Sequence, residues 1–146
     1  MRVFKSLLVL LIGLTALTYV FQSLASVGEM RQHIEALPSP ATSPVLSWMG
    51  FMLVTLIQFA LAATALKGAW ELFAARNGSP EMFKGAKTTA VWAGGLSLLS
   101  WFALSLMVGA GLFQWGTDGG DAALAKSFAL GTTSALTILF VWGTTD

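Results

Sequence analysis

The sequence predicts an all-α membrane protein: an antiparallel bundle of four transmembrane helices with a short interfacial helix on its outer side. Three observations carry this expectation. Of 146 residues, 55% are hydrophobic and only 10% are charged, with mean hydropathy +0.74, whereas a water-facing domain charges about a quarter of its residues. The charges are also bunched, leaving charge-free stretches at 6–28, 36–66, 88–117 and 127–145, which together hold 103 residues. Each stretch is close to or longer than the ~20 apolar residues that cross ~30 Å of hydrocarbon. These lengths leave no room for a separate soluble domain, so 1–146 reads as one membrane domain with spans near 4–25, 45–70, 88–115 and 122–142.

The first span opens behind Arg2 and Lys5. A basic start, an apolar core and Ser23-Leu24-Ala25 imitate a cleavable signal, but the apolar run continues through Tyr19, Val20 and Phe21 to a full bilayer width, which favours a retained span. Residues 26–43 form the only extended stretch between spans. There Ser26 and Glu29 have capping-box spacing, and Val27, Met30, Ile34 and Leu37 share one helical face, with Arg31 and Glu35 at i, i+4 on another. A short helix lying on the outer surface fits this pattern, ended by Pro38 and Pro40; an ordinary loop is the plainer alternative.

Ser43 as N-cap and Pro44 at the first helical position start the second span, whose helix can run to Arg76 and stop at Asn77-Gly78. Ser79-Pro80-Glu81 repeats the start signal, so spans two and three should form a helical hairpin with a basic tip. The six residues 116–121, rich in Gly and Asp, connect spans three and four so tightly that antiparallel packing is nearly forced. Lys126, one turn into span four, is best read as snorkelling outward rather than as half of a buried ion pair.

Arg2, Lys5, Lys67, Arg76, Lys84 and Lys87 fall on one side of the spans, and Arg31 and Lys126 on the other. The positive-inside rule therefore places both termini in the cytoplasm. Trp48 and Trp115 at outer ends, and Trp70, Trp92 and Trp142 at inner ends, match an interfacial belt; Trp101 alone sits at mid-membrane.

Without water between them, helices associate through close backbone contact and hydrogen bonds. Small residues at four-residue spacing mark the expected contact faces: Ala65 and Ala69 with Ala62-Ala63, then Ala86, Ala90 and Gly94, then Ala125, Ala129, Thr133 and Thr137. Depth matching puts Thr15, Gln58, Ser100, Trp101 and Thr133 at one level. The preferred reading of this layer is glue between helices, at about 0.6–2 kcal/mol per contact; a polar site for a lipid-soluble ligand, a quinone or a partner helix is the alternative. Lys67 and Glu71, at i, i+4, read first as an interfacial pair. Alternatively Lys67, Arg76, Lys84 and Lys87 form a cytoplasmic basic patch for anionic head groups or a partner protein.

Much chemistry has no residues to perform it. There is no Cys and a single His33, and no carboxylate lies within a span, so thiolate metal sites, paired haem ligands, a proton relay and a His-supported nucleophile all lack their groups. A net charge of +1 gives no call for nucleic acid. No cofactor and no enzymatic activity are expected.

Several motifs resemble the DUF2165 family of small integral membrane proteins of bacteria, whose function is unknown. They are Thr42-Ser43-Pro44 opening a span, Leu66-Lys67-Gly68-Ala69-Trp70-Glu71-Leu72 and Ala75-Arg76 closing it, Phe83-Lys84-Gly85-Ala86-Lys87, Phe113-Gln114, and Leu139-Phe140-Val141 before the end at Asp146. The resemblance implies a multi-pass protein of the bacterial inner membrane and supplies no catalytic residues. It also implies an acidic residue at the position of Gln58 in many members; an amide there has no proton to transfer. The leading expectation is a non-enzymatic accessory or scaffold subunit whose partners are the lipid bilayer and a membrane protein or further copies of itself. A small oligomeric transporter or channel lined by the Gln58 layer is the second reading, and a lipid- or quinone-handling enzyme the third.

Overall fold

A computed structural model describes residues 1–36, 44–107 and 118–144. Among these residues every regular element is helical: α1 (Arg2–Ala25), α2 (Val27–Ala36), α3 (Pro44–Ala74), a 3-10 turn (Ala75–Asn77), α4 (Pro80–Met107) and α5 (Asp118–Gly143). α2 occupies the segment for which a short helix is expected. The faces of Met30, Ile34 and Leu37, the cap Ser43, and the third span beyond Met107 with Trp115 lie outside the described residues or side chains.

Local chemistry sets the boundaries. Pro44 and Pro80 each stand first in their helices, where the missing N–H has no intrahelical partner to lose. The Ser79 hydroxyl accepts the Met82 N–H at 3.3 Å, capping α4. The 3-10 turn tightens the end of α3, and the Gly78 N–H closes it by donating to the Ala75 carbonyl at 3.0 Å. α5 begins at Asp118, earlier than the expected Ala122, so its first turn includes Asp118 and Asp121.

Among the described residues, three helices are long and apolar enough to cross a membrane: Arg2–Ala25, Trp48–Asn77 and Leu124–Gly143. α4 spends its first two turns on Glu81, Lys84 and Lys87 and becomes continuously apolar only later.

Contacts fix the packing. Arg2 donates to the carbonyls of Arg76 and Gly78, while the Cβ position of Gly13 lies 3.1 Å from Leu66, so α1 and α3 run in opposite directions. A Cβ on Gly68 would stand 3.0 Å from the Ala90 nitrogen, and one on Gly94 would overlap Ile138, which sets the α3–α4 and α4–α5 registers. Phe4 meets Phe140 edge to face at 5.9 Å and Lys5 donates to the Thr144 carbonyl, joining α1 to α5. One end, here the basal end, thus gathers Met1, the α3–α4 turn and Thr144. Above it lies an apolar core of Val9, Ala16, Leu61, Ala65, Leu72, Phe83, Ala90 and Val141 with their neighbours. Around the outside runs a belt of exposed Leu, Phe and Met side chains, among them Leu11, Phe21, Met52, Leu56, Phe102 and Leu139. Lipid solvates such a belt; water does not.

The small-residue rows of α3 and α4 do face neighbouring helices: Ala62, Ala65, Ala69, Ala90 and Gly94 are buried. The row on α5 corrects the expectation. Ala125, Ala129 and Thr133 are exposed, and α5 packs instead through Ser127, Ser134 and Val141, with Gly131 and Ile138 between them. Spacing of alternately four and three residues keeps a seam on one side of a helix better than strict fours, which drift around it.

Gly68→Val should lower stability by about 1–3 kcal/mol, because backbone atoms of α4 stand in the way and cannot rotate aside. Gly95→Ala, with nothing within 4 Å of the added Cβ, should leave stability unchanged or raise it by up to ~1 kcal/mol. Far-UV dichroism during SDS titration of mixed micelles measures both; equal midpoints for the two variants would contradict the close α3–α4 contact.

Candidate functional site

Hydrogen-bonding side chains in an apolar core are the first place to look for function, since each costs free energy unless something satisfies it. The α3–α4 register set by Gly68 against Ala90 carries ten residues further along both helices to bring Gln58 level with Ser100. Both are buried, at 2% and 0% exposure, and so is the adjacent Trp101. The Trp101 indole N–H donates to the Ser97 hydroxyl at 3.1 Å, and its ring stands edge to face on Tyr19 of α1 at 5.0 Å. Lys126 reaches over the other region of this group, its Nζ 5.0 Å from the Tyr19 ring centre. Three buried atoms here have no hydrogen-bond partner: Tyr19 Oη, Gln58 Oε1 and Ser100 Oγ.

Of the five residues expected at this level, Gln58, Ser100 and Trp101 are buried, and Thr15 and Thr133 are not. Thr15 is half-buried and Thr133 exposed, and each hydroxyl donates to the carbonyl one turn back, of Leu11 at 2.8 Å and of Ala129 at 2.7 Å. A threonine satisfies itself on its own helix in this way, so equal depth does not draw it inward. Tyr19 and Ser97 are members that depth matching missed. Ser97 was accessible from sequence, being one turn from Trp101 on the same face; Tyr19 was not, since only the α1–α4 diagonal contact brings it in.

The basic residues also divide differently from a single patch. Lys67 is exposed and pairs with Glu71 at 3.7 Å, as expected for an interfacial pair. Lys84 is exposed, and Arg76 lies over the Phe73 ring at 3.9 Å while donating to the Phe73 carbonyl. Lys87 turns inward. It joins Arg2 and Lys5 around the ring of Phe83, at 5.6, 4.9 and 5.8 Å from the ring centre. Lys5 has no exposed surface, and both it and Lys87 donate to the Thr144 carbonyl, at 2.8 and 3.4 Å. Cations over a desolvated aromatic face are attracted to its quadrupole, and a carbonyl at a helix C-terminus is a further acceptor for them. The cluster therefore ties α1, α4 and the end of α5 together at the basal end. Arg2 and Lys5 entered the sequence reading only as orientation signals.

Between α4 and α5 an apolar groove of about 570 Å³ opens to the outside, lined by Leu98, Trp101, Phe102, Phe128, Gly131 and Leu136 among others. A family model for DUF2165, described as a predicted small integral membrane protein, matches residues 1–143. The chain belongs to the DUF2165 family. Comparison with curated proteins and with solved structures found no match. The DUF2165 chain is accordingly an integral membrane protein with several candidate spans, and its apolar belt and interior polar cluster belong to a lipid-solvated molecule.

The unpartnered Gln58 oxygen reverses one expectation. Glue predicts that losing the amide weakens the bundle. An unsatisfied buried acceptor instead costs about 1–3 kcal/mol, so Gln58→Leu should leave the DUF2165 chain as stable as before or stabilise it by about 1 kcal/mol. A lower SDS-unfolding midpoint for this variant would show that the amide does hold helices together.

Proposed function

We propose that this DUF2165 protein is a non-enzymatic accessory or scaffold subunit of the bacterial inner membrane, a four-helix antiparallel bundle whose α5 receives a helix of a partner. The observation that carries this reading is the outward row Ala125, Ala129 and Thr133. Small side chains at four-residue spacing allow two helix backbones to approach, and α5 has turned this row away from its own bundle. Of the three helices long and apolar enough to span, α5 is the least covered: 17% of its apolar window is buried inside the molecule, against 39% and 33% for α1 and α3.

In this reading α1, α3, α4 and α5 all cross the bilayer, the basal end with Arg2, Lys5, Lys84 and Lys87 faces the cytoplasm, and α2 lies on the outer surface. Exposed Trp70, Trp92 and Trp142 near the basal end support that placement, as indoles favour the interface. α1 contributes Val9, Ala16 and Val20 to the interior, which favours a retained span over a removed signal. An oligomeric channel or transporter lined by Gln58 finds less support, because Leu61, Ala65, Leu72 and Phe83 fill the interior between Gln58 and the basal end with no exposed surface.

Purification of a tagged chain in mild detergent should recover one stoichiometric membrane partner. Ala129→Leu with Thr133→Leu should cut that recovery about tenfold, equivalent to ~1.4 kcal/mol, without changing the SDS-unfolding midpoint. Isolation of a lone monomer would overturn the reading. The chain has no Cys, so single cysteines at Gly78 and Gly119 can be placed cleanly; impermeant maleimide should reach them from opposite compartments.

A further inference from the structure

The polar cluster and the α4–α5 groove share one side chain. Trp101 lines the groove, and from the same position it donates to Ser97 and stands on Tyr19. They also share a level: the Cβ position of Gly131, in the groove, lies 3.5 Å from the Trp101 Cβ, one residue from Ser100. On one side of the indole there is thus an apolar channel open to lipid. At about the same level are three buried hydrogen-bonding atoms without partners, Tyr19 Oη, Gln58 Oε1 and Ser100 Oγ.

We propose that Tyr19, Gln58 and Ser100 form a head-group site for a neutral, hydroxyl-bearing amphiphile whose hydrocarbon chain occupies the α4–α5 groove, with Trp101 as the door between them. The hydrogen-bonding inventory selects the head group. A side-chain amide oxygen only accepts, so its guest must donate; the hydroxyls of Tyr19 and Ser100 can do either. A hydroxyl both donates and accepts, and it therefore satisfies Gln58 whichever way the amide is turned. The groove selects the tail and the charge. Its walls are Leu98, Phe102, Leu124, Phe128 and Leu136 with Ser127 and Thr132, and among the described residues no ionised side chain lines it, so an ion drawn into it would lose its hydration without compensation. About 570 Å³ is within the range of small-molecule sites and suits one hydrocarbon chain rather than a helix. The residues that line the groove do not include Ala125, Ala129 or Thr133, and the site does not depend on a partner occupying that row.

The test uses the full chain in lipid nanodiscs with three photoreactive diazirine probes of equal length: hexadecanol, hexadecane and palmitic acid. Peptide mass spectrometry locates the adducts. The alcohol should label the groove peptides containing Leu98, Phe102 and Phe128 at least about fivefold more than the alkane, equivalent to ~1 kcal/mol of head-group recognition. Gln58→Leu should abolish that preference in a chain that still folds, and Gly131→Leu, which fills the groove beside Trp101, should abolish labelling by all three probes. Should Gln58→Leu not fold, Ser100→Ala carries the same expectation. Equal labelling by alcohol and alkane would overturn the proposal and leave the three atoms to trapped water. Preference for the acid would also overturn it, moving recognition to Lys126.

Discussion

In hydrocarbon a polar group can be satisfied only by the protein or by something the protein binds, and this constraint orders most of what the DUF2165 chain does with its few polar residues. Thr15, Thr18, Thr55, Thr64 and Thr133 spend their hydroxyls on the carbonyl one turn back in the same helix. Lys5 and Lys87 reach a carbonyl at the end of α5. Trp101 finds Ser97. Among the described residues, the buried side-chain atoms left over are Tyr19 Oη, Gln58 Oε1 and Ser100 Oγ.

Packing follows from a second constraint, that apolar surface gains little by leaving lipid for protein. Helix contact must then come from backbone proximity, and the glycines sit where it is closest: Gly13 against Leu66, Gly68 against the α4 backbone and Gly94 against Ile138. Gly95, one position on, faces open space. The same logic makes the exposed small residues of α5 informative, since a helix that had no use for a second close contact could carry leucine there at no cost in lipid.

The two ends of the molecule differ in kind. The basal half is filled by Leu61, Leu72, Phe83 and small alanines, closed by cations gathered on one aromatic ring. The other half holds the polar cluster and the groove that opens beside it. A filled base beneath a laterally open upper part is the feature on which the proposed sideways interaction within the membrane rests.

Charge-free runs, proline starts and basic flanks were enough to place α1, α3 and α5, and family motifs such as Leu66-Lys67-Gly68-Ala69-Trp70-Glu71-Leu72 already pointed to DUF2165. These are local or compositional signals, because solvation by lipid and the termination of a helix are decided within a few residues of chain. What only the tertiary structure decided was rotation: which side of each helix turns inward. Thr133 and Gln58 share a depth, yet one faces out and one in; Ala129 and Ser127 are both small, yet only Ser127 packs against the bundle. Nearly uniform hydrophobicity around these helices leaves no amphipathic face to read, so rotation is fixed by steric fit and hydrogen bonding between helices distant in sequence.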